Sequence, residues 1–256
     1  MITKALRAAG EAIFLPGFHR AMSRIGCAQD YQRLAYGNHP RQYVLHLPAP
    51  VEGAPIAVWF HGGGWQFGSP EKLLAYGEFF HQHGYEVVMA SHRRIPRFCG
   101  REIYEDACAV MRLTESLHES SSSLLLGGVS SGGHLATICA LRQNRWNTRS
   151  RVVGLITCAA PLTLEPLGWS PTLYRLAGRT DCDDYAALNP YKLLDHKPDF
   201  PAFMMHGTAD GFVPYECAEM FWAKASQIGW DSLTTHTIPG GSHLDAARWV
   251  LADAET

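Results

Sequence analysis

The chain has 256 residues, 46% of them hydrophobic and 18% charged, the profile of a globular protein with a substantial core and not of a disordered chain. Its 22 Lys and Arg stand against 24 Asp and Glu, a net charge of −2, so no general pull toward nucleic acid or an anionic membrane is expected. The longest unbroken apolar stretches, such as Ile56–Phe60, fall far short of the roughly 18–20 residues that cross a bilayer, which excludes a membrane-spanning helix.

In chain order, residues 1–36 read as one or two short amphipathic helices broken at Pro16-Gly17. Glu11 and Pro16 also interrupt what would have to be the apolar region of a signal peptide. Strand-like runs then follow at Gln42–Leu47, Ile56–Phe60, Tyr85–Ala90, Leu124–Gly128, Val152–Cys158, Ala202–His206 and Leu233–Ile238. Helix-period stretches lie between most of them, at Pro70–His83, Arg101–His118, Gly132–Gln143, Pro214–Ile228 and finally His243–Ala252. Ser120–Ser123 reads as a loop. Continuous apolar strands bounded by Gly and Pro and separated by helices predict an α/β domain, a mostly parallel sheet covered on both faces. No composition break divides residues 37–256. Residues 1–36 and the Pro-, Gly- and aromatic-rich stretch 161–190 fall outside the alternation and are expected to form a small cap over one end of the sheet or else to run along its surface.

Seven cysteines, an odd number with no C-x-x-C pair, are scattered along the chain. Cys108, Cys139 and Cys158 sit in apolar patterns, where a thiol behaves as a small hydrophobe. A reducing, cytoplasmic setting is expected, with neither a disulfide framework nor a zinc site. No H-E-x-x-H and no Asp-rich calcium loop is present, so the expected chemistry uses no metal and no cofactor.

Gly128-Val129-Ser130-Ser131-Gly132 fits G-x-S-x-G, a string too short to carry weight alone. Its context decides. It follows the run Leu124–Gly127 and opens the helical stretch from Gly133, the strand-to-helix turn that presents a nucleophilic serine. Directly after Ile56–Phe60 comes His61-Gly62-Gly63-Gly64-Trp65. Consecutive glycines let main-chain N–H groups approach and stabilise an oxyanion, whereas a phosphate loop would need a helix immediately after it. The serine needs a base, and the base an orienting carboxylate, in the order Ser, Asp, His on turns after strands. Asp210 stands on the turn after Ala202–His206, and His243 on the turn after Leu233–Ile238. Asp195 and Asp199 precede a strand and Asp245 enters a helix, while His206 and His236 read as packed histidines. His61 is expected to brace its own loop, and His134 to sit in the helix behind Ser130.

This constellation resembles the α/β-hydrolase superfamily. Within it, the chain is similar to the hormone-sensitive-lipase-like carboxylesterases and to the feruloyl-esterase and kynurenine-formamidase-like branch. The resemblance runs from about Tyr36 to the C-terminus, through Tyr36–Gln42, the His61 loop, Arg94-Ile95-Pro96, Asp106, the Ser130 elbow and the Asp210 and His243 turns. It implies Ser130 as nucleophile, Asp210 as orienting acid and His243 as base, with the amides of Gly63, Gly64 and Ser131 as the oxyanion hole. Val129 replaces the acidic residue the lipase-like branch places before its nucleophile. Ser131 stands where that branch has Ala, and Ser91-His92-Arg93-Arg94 where it has N-Y-R-L. These departures move the chain toward the feruloyl-esterase and formamidase side.

The expected function is a serine carboxylesterase acting on a small-molecule ester. An aryl formamidase or a carbohydrate or feruloyl esterase is the alternative, and a non-catalytic binding protein of the same fold a distant one. Trp65, Trp169, Tyr174 and Phe212 are expected to line a compact aromatic pocket suited to short acyl groups. The oligomeric state, a homodimer included, is open at this level.

Overall fold

Strand periodicity sorts the core into two layers. In the computed structural model, which describes residues 2–25, 29–49, 51–117, 123–178 and 183–252, Ile56, Val58 and Phe60 join one buried cluster while Ala57 and Trp59 join the other. A period of two sends successive side chains to opposite faces, so one apolar run serves both layers. Each large side chain fully buried in this way stabilises the fold by about 1.5–3 kcal/mol before entropy is counted.

The sheet holds β1 (Gln32–Ala35), β2 (Tyr43–Leu47), β3 (Ile56–Phe60), β4 (Glu86–Ala90), β5 (Ser123–Val129), β6 (Arg151–Cys158), β7 (Ala202–Gly207) and β8 (Leu233–Ile238). Their spatial order is β1-β2-β4-β3-β5-β6-β7-β8. β1 with β2 and β2 with β4 are antiparallel, and all other neighbours are parallel. The seven runs expected from sequence are β2–β8, each within a residue of its expected ends. β1 escapes notice because it is a four-residue edge strand, Gln-Arg-Leu-Ala, with three of its residues exposed and no apolar alternation.

Helices follow as α1 (Ile2–Ile25), α2 (Leu74–Gln82), α3 (Gly100–Ser116), α4 (Ser131–Leu141), α5 (Pro171–Ala177), α6 (Asp183–Ala187), α7 (Pro190–Leu193), α8 (Glu216–Gln227) and α9 (Trp249–Ala252). α3, α4 and α8 cover the Val58 face through Ile103, Leu135 and Phe221. α1, α2 and α9 cover the Trp59 face through Met22, Tyr76 and Val250. No described helix is long and apolar enough to cross a membrane. Buried Asp106 ties α3 to the sheet, accepting from Gln42 Nε2 at 2.7 Å, Arg93 N at 2.7 Å and Arg93 Nε at 2.9 Å.

Three expectations need correction. α1 is not broken at Pro16-Gly17 but runs through both. A proline inside a helix costs about 3 kcal/mol; here Phe18, Met22 and Ile25 beyond it pack on the α2 layer and hold the second half in line. The Pro70–His83 stretch divides into a 3₁₀ turn, Pro70–Leu73, and α2. The last helix starts at Trp249, not His243. Ser242 N and Oγ bind Asp245 Oδ2 at 2.8 and 2.7 Å, and Tyr76 Oη donates to Ala247 O, which pins residues 243–247 as a turn. The described part of 161–190 packs mainly along α3, α4 and α8, while Pro161 and Leu167 line a cavity at the carboxyl end of the sheet. His118, Ser120–Ser122, Cys27 and Cys182 lie outside the described residues.

Candidate active site

In open parallel sheets, ligands bind beyond the carboxyl ends of the strands. The candidate groups of this chain all project there, after β3, β5, β7 and β8. Ser130 follows β5 directly, with φ 55° and ψ −125°, a left-handed conformation that L-residues adopt only where their surroundings enforce it. The enforcement is visible. Ser130 N donates to Cys158 O at 2.8 Å on one side, and Ser130 O accepts from His134 N at 3.1 Å on the other. Gly132 makes the turn sterically feasible, because a Cβ there would collide with Phe60 O and lie 2.6 Å from His61 O.

The candidate acid–base pair comes from the β7–β8 side of the sheet. His243 Nδ1 lies 2.7 Å from Asp210 Oδ2. Asp210 Oδ1 accepts from the amides of Phe212 at 2.9 Å and Val213 at 2.8 Å, an Asx-type turn that fixes the carboxylate. His206, at the end of β7, adds a third anchor with Nε2 at 3.2 Å from Asp210 Oδ2 and 3.0 Å from Val213 O. Burial favours the neutral acid, but the charges and hydrogen bonds of His243 and His206 outweigh it and hold Asp210 well below the usual carboxylate range. For His243 burial favours the neutral ring. The attraction and hydrogen bond of Asp210, with a further contribution from Glu11, overcome this and raise its pKa above the ordinary value. With Nδ1 engaged by Asp210, the remaining ring nitrogen, Nε2, is the one available for proton transfer.

The glycine loop follows β3. Gln66 N and Phe67 N both donate to Gly63 O, at 3.1 and 2.9 Å, which curls the loop back on itself. Among the described residues the amides of Gly63, Gly64 and Ser131 have no protein acceptor, and all three residues line one cavity with Ser130 and His243. His61 Nδ1 lies 2.8 Å from Gly62 O, within its own loop. His134 donates from Nε2 to Leu188 O at 2.8 Å and accepts from Trp65 Nε1 at 3.3 Å; burial pushes its pKa down to about 4, so it is a neutral strut.

The cavity measures about 510 Å³ and is mostly apolar, within the range of small-molecule sites. Of the four aromatic residues expected around it, Trp65 and Phe212 line it. Trp169 and Tyr174 do not. They line a separate hollow with Glu165 and Tyr185, and Trp169 is 81% exposed. The 3₁₀ turn Glu165–Leu167 intervenes, sending only Leu167 toward the main cavity.

Sequence reasoning expects a cap from residues 1–36 but misses the specific contacts that α1 makes in the site. Leu15, Phe18 and His19 form one wall of the cavity. Glu11, one turn earlier, accepts from Gly211 N at 2.8 Å with Oε1 and from His243 N at 3.0 Å with Oε2. No signal existed for either contact, at separations of 200 and 232 residues, although Glu11 is one of only two acidic residues in the first 50. His206 was likewise legible only as a packed histidine. Among the described residues no group of three or more His, Cys, Asp or Glu could hold a metal ion.

A family model described as the alpha/beta hydrolase fold matches residues 57–188. Versiconal hemiacetal acetate esterase of Aspergillus parasiticus is 28% identical over 123 residues, 47% of this chain and 38% of that protein. An AB hydrolase superfamily protein of Schizosaccharomyces pombe is 23% identical over 179 residues, 67% of this chain and 47% of that protein. The matches thus span less than half the length of these curated relatives. Among solved structures, a butyrate-bound esterase of Thermogutta terrifontis superposes with TM-score 0.70 at 21% identity, over 88% of this chain and 92% of its own. An acetyl ester-xyloside bifunctional hydrolase from Caldicellulosiruptor lactoaceticus gives TM-score 0.72 at 16% identity, over 90% and 96%. At these identities the structural likeness is one of fold.

Proposed function

The chain belongs to the α/β-hydrolase fold family, and from that premise we propose that it is a serine carboxylesterase cleaving short-acyl esters through Ser130, His243 and Asp210. The observation that carries this reading is one of convergence. A serine held at positive φ lines the same apolar cavity as a histidine whose Nδ1 is 2.7 Å from a buried carboxylate.

In the proposed reaction, His243 Nε2 accepts the Ser130 proton as Oγ attacks the acyl carbonyl. The developing oxyanion receives hydrogen bonds from the amides of Gly63, Gly64 and Ser131, each donor typically contributing about 2.7–4 kcal/mol. The histidine, now charged and stabilised by Asp210, returns the proton to the leaving alcohol. Water then enters, loses its proton to His243 and attacks the acyl-enzyme, releasing the acid and restoring Ser130. Asp210 stays ionised throughout, and its depressed pKa supports that role.

The preference for short acyl groups rests on the limited volume of the cavity, about 510 Å³, and on its apolar walls, with Leu15 and Phe18 on one side and Pro161, Leu167 and Phe212 on others. The butyrate-bound and acetyl-ester relatives of the same fold agree with it. The test is a screen of the purified protein over p-nitrophenyl esters, aryl formamides and acetylated sugars, with a fluorophosphonate probe. Hydrolysis and labelling at Ser130 are expected, with Ser130→Ala losing at least about 10⁴-fold in kcat while its melting temperature stays near that of the parent. Labelling that persists at another serine, or full turnover by the variant, overturns the assignment. A clear preference for formamides would move the substrate class but keep the machinery.

A further inference from the structure

α1 enters the molecule from the far end of the sequence, yet it touches both loops of the acid–base pair. Its backbone lies against the acid turn so closely that a Cβ at Gly211 would sit 2.5 Å from Ala8 N and 2.7 Å from Arg7 C. Only a glycine beside Asp210 permits that approach. Once there, Glu11 spans the gap between two loops. Oε1 accepts from Gly211 N at 2.8 Å, the residue next to the acid, and Oε2 from the amide of His243 itself at 3.0 Å. Glu11 is 9% exposed, so these bonds are shielded from water and each counts for more than it would at the surface.

Resting on the triad proposed above, we infer that Glu11 is a positioning residue: its carboxylate, bridging the Gly211 and His243 amides, holds the base and its orienting acid in working register. A single carboxylate can do this because it offers two acceptor oxygens with a fixed spacing. No neutral side chain of the same size offers both. The glycine loop and the elbow make no such demand, since the elbow is held by Cys158 O of the neighbouring strand and the loop by its own backbone turn.

The bridge is also an electrostatic element. The titratable and charged groups facing Glu11 are Asp210 on the acid turn and His243 on the base turn, with His206 behind Asp210. Burial and the nearby Asp210 charge raise the pKa of Glu11, and the two amides partly offset them. In turn the Glu11 carboxylate favours the protonated form of His243. Loss of that charge lets the base shed its proton at lower pH, so the acid limb of kcat/KM moves to lower pH. A residue that merely packs would leave this limb in place.

The decisive variant is Glu11→Gln in the full chain. It preserves volume but turns one acceptor into an NH₂ that faces an N–H donor. With p-nitrophenyl acetate we expect kcat to fall about ten- to a hundredfold, KM to change less than threefold, and the acid limb to shift downward. Labelling by a fluorophosphonate at saturating probe should slow by the same factor. Circular dichroism and a melting curve establish that the variant is folded. If Glu11→Gln does not fold, Glu11→Asp, which keeps the charge but cannot reach both amides, should lose kcat and keep the parental acid limb. A kcat within twofold of the parent and an unmoved limb in a folded variant overturn the inference, as does a change confined to KM and stability. Ser130→Ala separates the two readings. If that variant retains hydrolysis, the proposed function fails; if it is inactive while Glu11→Gln behaves as parent, only the role of Glu11 fails.

Discussion

The two sides of the cavity are held together by different kinds of contact. On the nucleophile side, Ser130 and the His61 loop hang from adjacent parallel strands, β5 and β3, whose registers pair Phe60 with Gly128. Ser130 is fixed by backbone one strand or a few residues away, and the loop by its own backbone turn with side-chain struts from His61 and from Trp65 on His134. On the acid–base side, Asp210 and His243 sit on turns 33 residues apart, and much of their support comes from side chains. His206 braces the acid, the Phe212 and Val213 amides clamp it, and Glu11 arrives from α1 to join both turns. One side is specified by local sequence. The other is specified by an encounter across nearly the whole chain.

That contrast is sharpest for glycine replacements. Gly132→Ala puts a methyl group against Phe60 O and His61 O, backbone atoms at the end of a central strand and just beyond it that cannot rotate away. Overpacking of this kind typically costs 1–3 kcal/mol, and because it displaces the elbow we expect kcat to fall at least about a hundredfold. The same change at Gly10, in exposed α1 with nothing within 4 Å, should raise stability by about 0.4–1 kcal/mol with no change in kcat. Urea unfolding and ester hydrolysis measured on both variants test the difference. Equal effects at the two positions would mean that the elbow is less tightly held than its geometry indicates.

The same division explains what was readable beforehand. Gly128, Ser130 and Gly132 announce themselves because a strand-to-helix turn imposes its demands within five residues. The strands β2–β8 are legible since a buried parallel strand is a continuous apolar run. β1 is exposed and four residues long, so it lacks that signature. Pro16 reads as a break because local propensity says so, and tertiary packing of Phe18 and Met22 overrides it. Glu11 reads as a stray charge in an apolar stretch. Its partners are 200 and 232 residues away, and no periodicity reaches that far. Trp169 and Tyr174 fail for a related reason, since aromatic composition shows that a segment buries something without showing which hollow it faces.

On the acid–base side, a second effect is a pH dependence. The base must be neutral to accept the Ser130 proton. Asp210 and Glu11 raise the pKa of His243, so the free enzyme should lose kcat/KM as pH falls through a midpoint above the unperturbed value of about 6.5, by about tenfold per unit below it. Above that midpoint the rate should be level until other groups titrate. A kcat/KM profile with p-nitrophenyl acetate from pH 5 to 9 measures it. A midpoint clearly below 6.5 would show that burial, which opposes charge on the ring, outweighs the two carboxylates.

The smallest effects are expected where the cavity meets its cover, and there two aromatic residues make a controlled pair. Phe212 lines the cavity, and its ring packs edge-on against His243 with centroids 5.2 Å apart. Trp169 lies in the neighbouring hollow and is mostly solvent-exposed. Phe212→Ala removes a wall and opens room for more of the acyl chain. Each additional methylene buried is worth about 0.8 kcal/mol, close to fourfold in kcat/KM, for as long as space remains. The parent should therefore favour acetyl to butyryl esters and decline beyond roughly six to eight carbons as the cavity fills. Phe212→Ala should shift that decline toward octanoate by several-fold while weakening the support of His243 enough to lower kcat on acetate. Trp169→Ala should leave the whole series within about twofold, because no part of the substrate path reaches it. Measuring kcat/KM on p-nitrophenyl acetate, butyrate, octanoate and palmitate for the three proteins resolves the matter. A Trp169→Ala variant that alters the chain-length preference would join the two hollows into one binding site, and the boundary drawn at Leu167 would have to move.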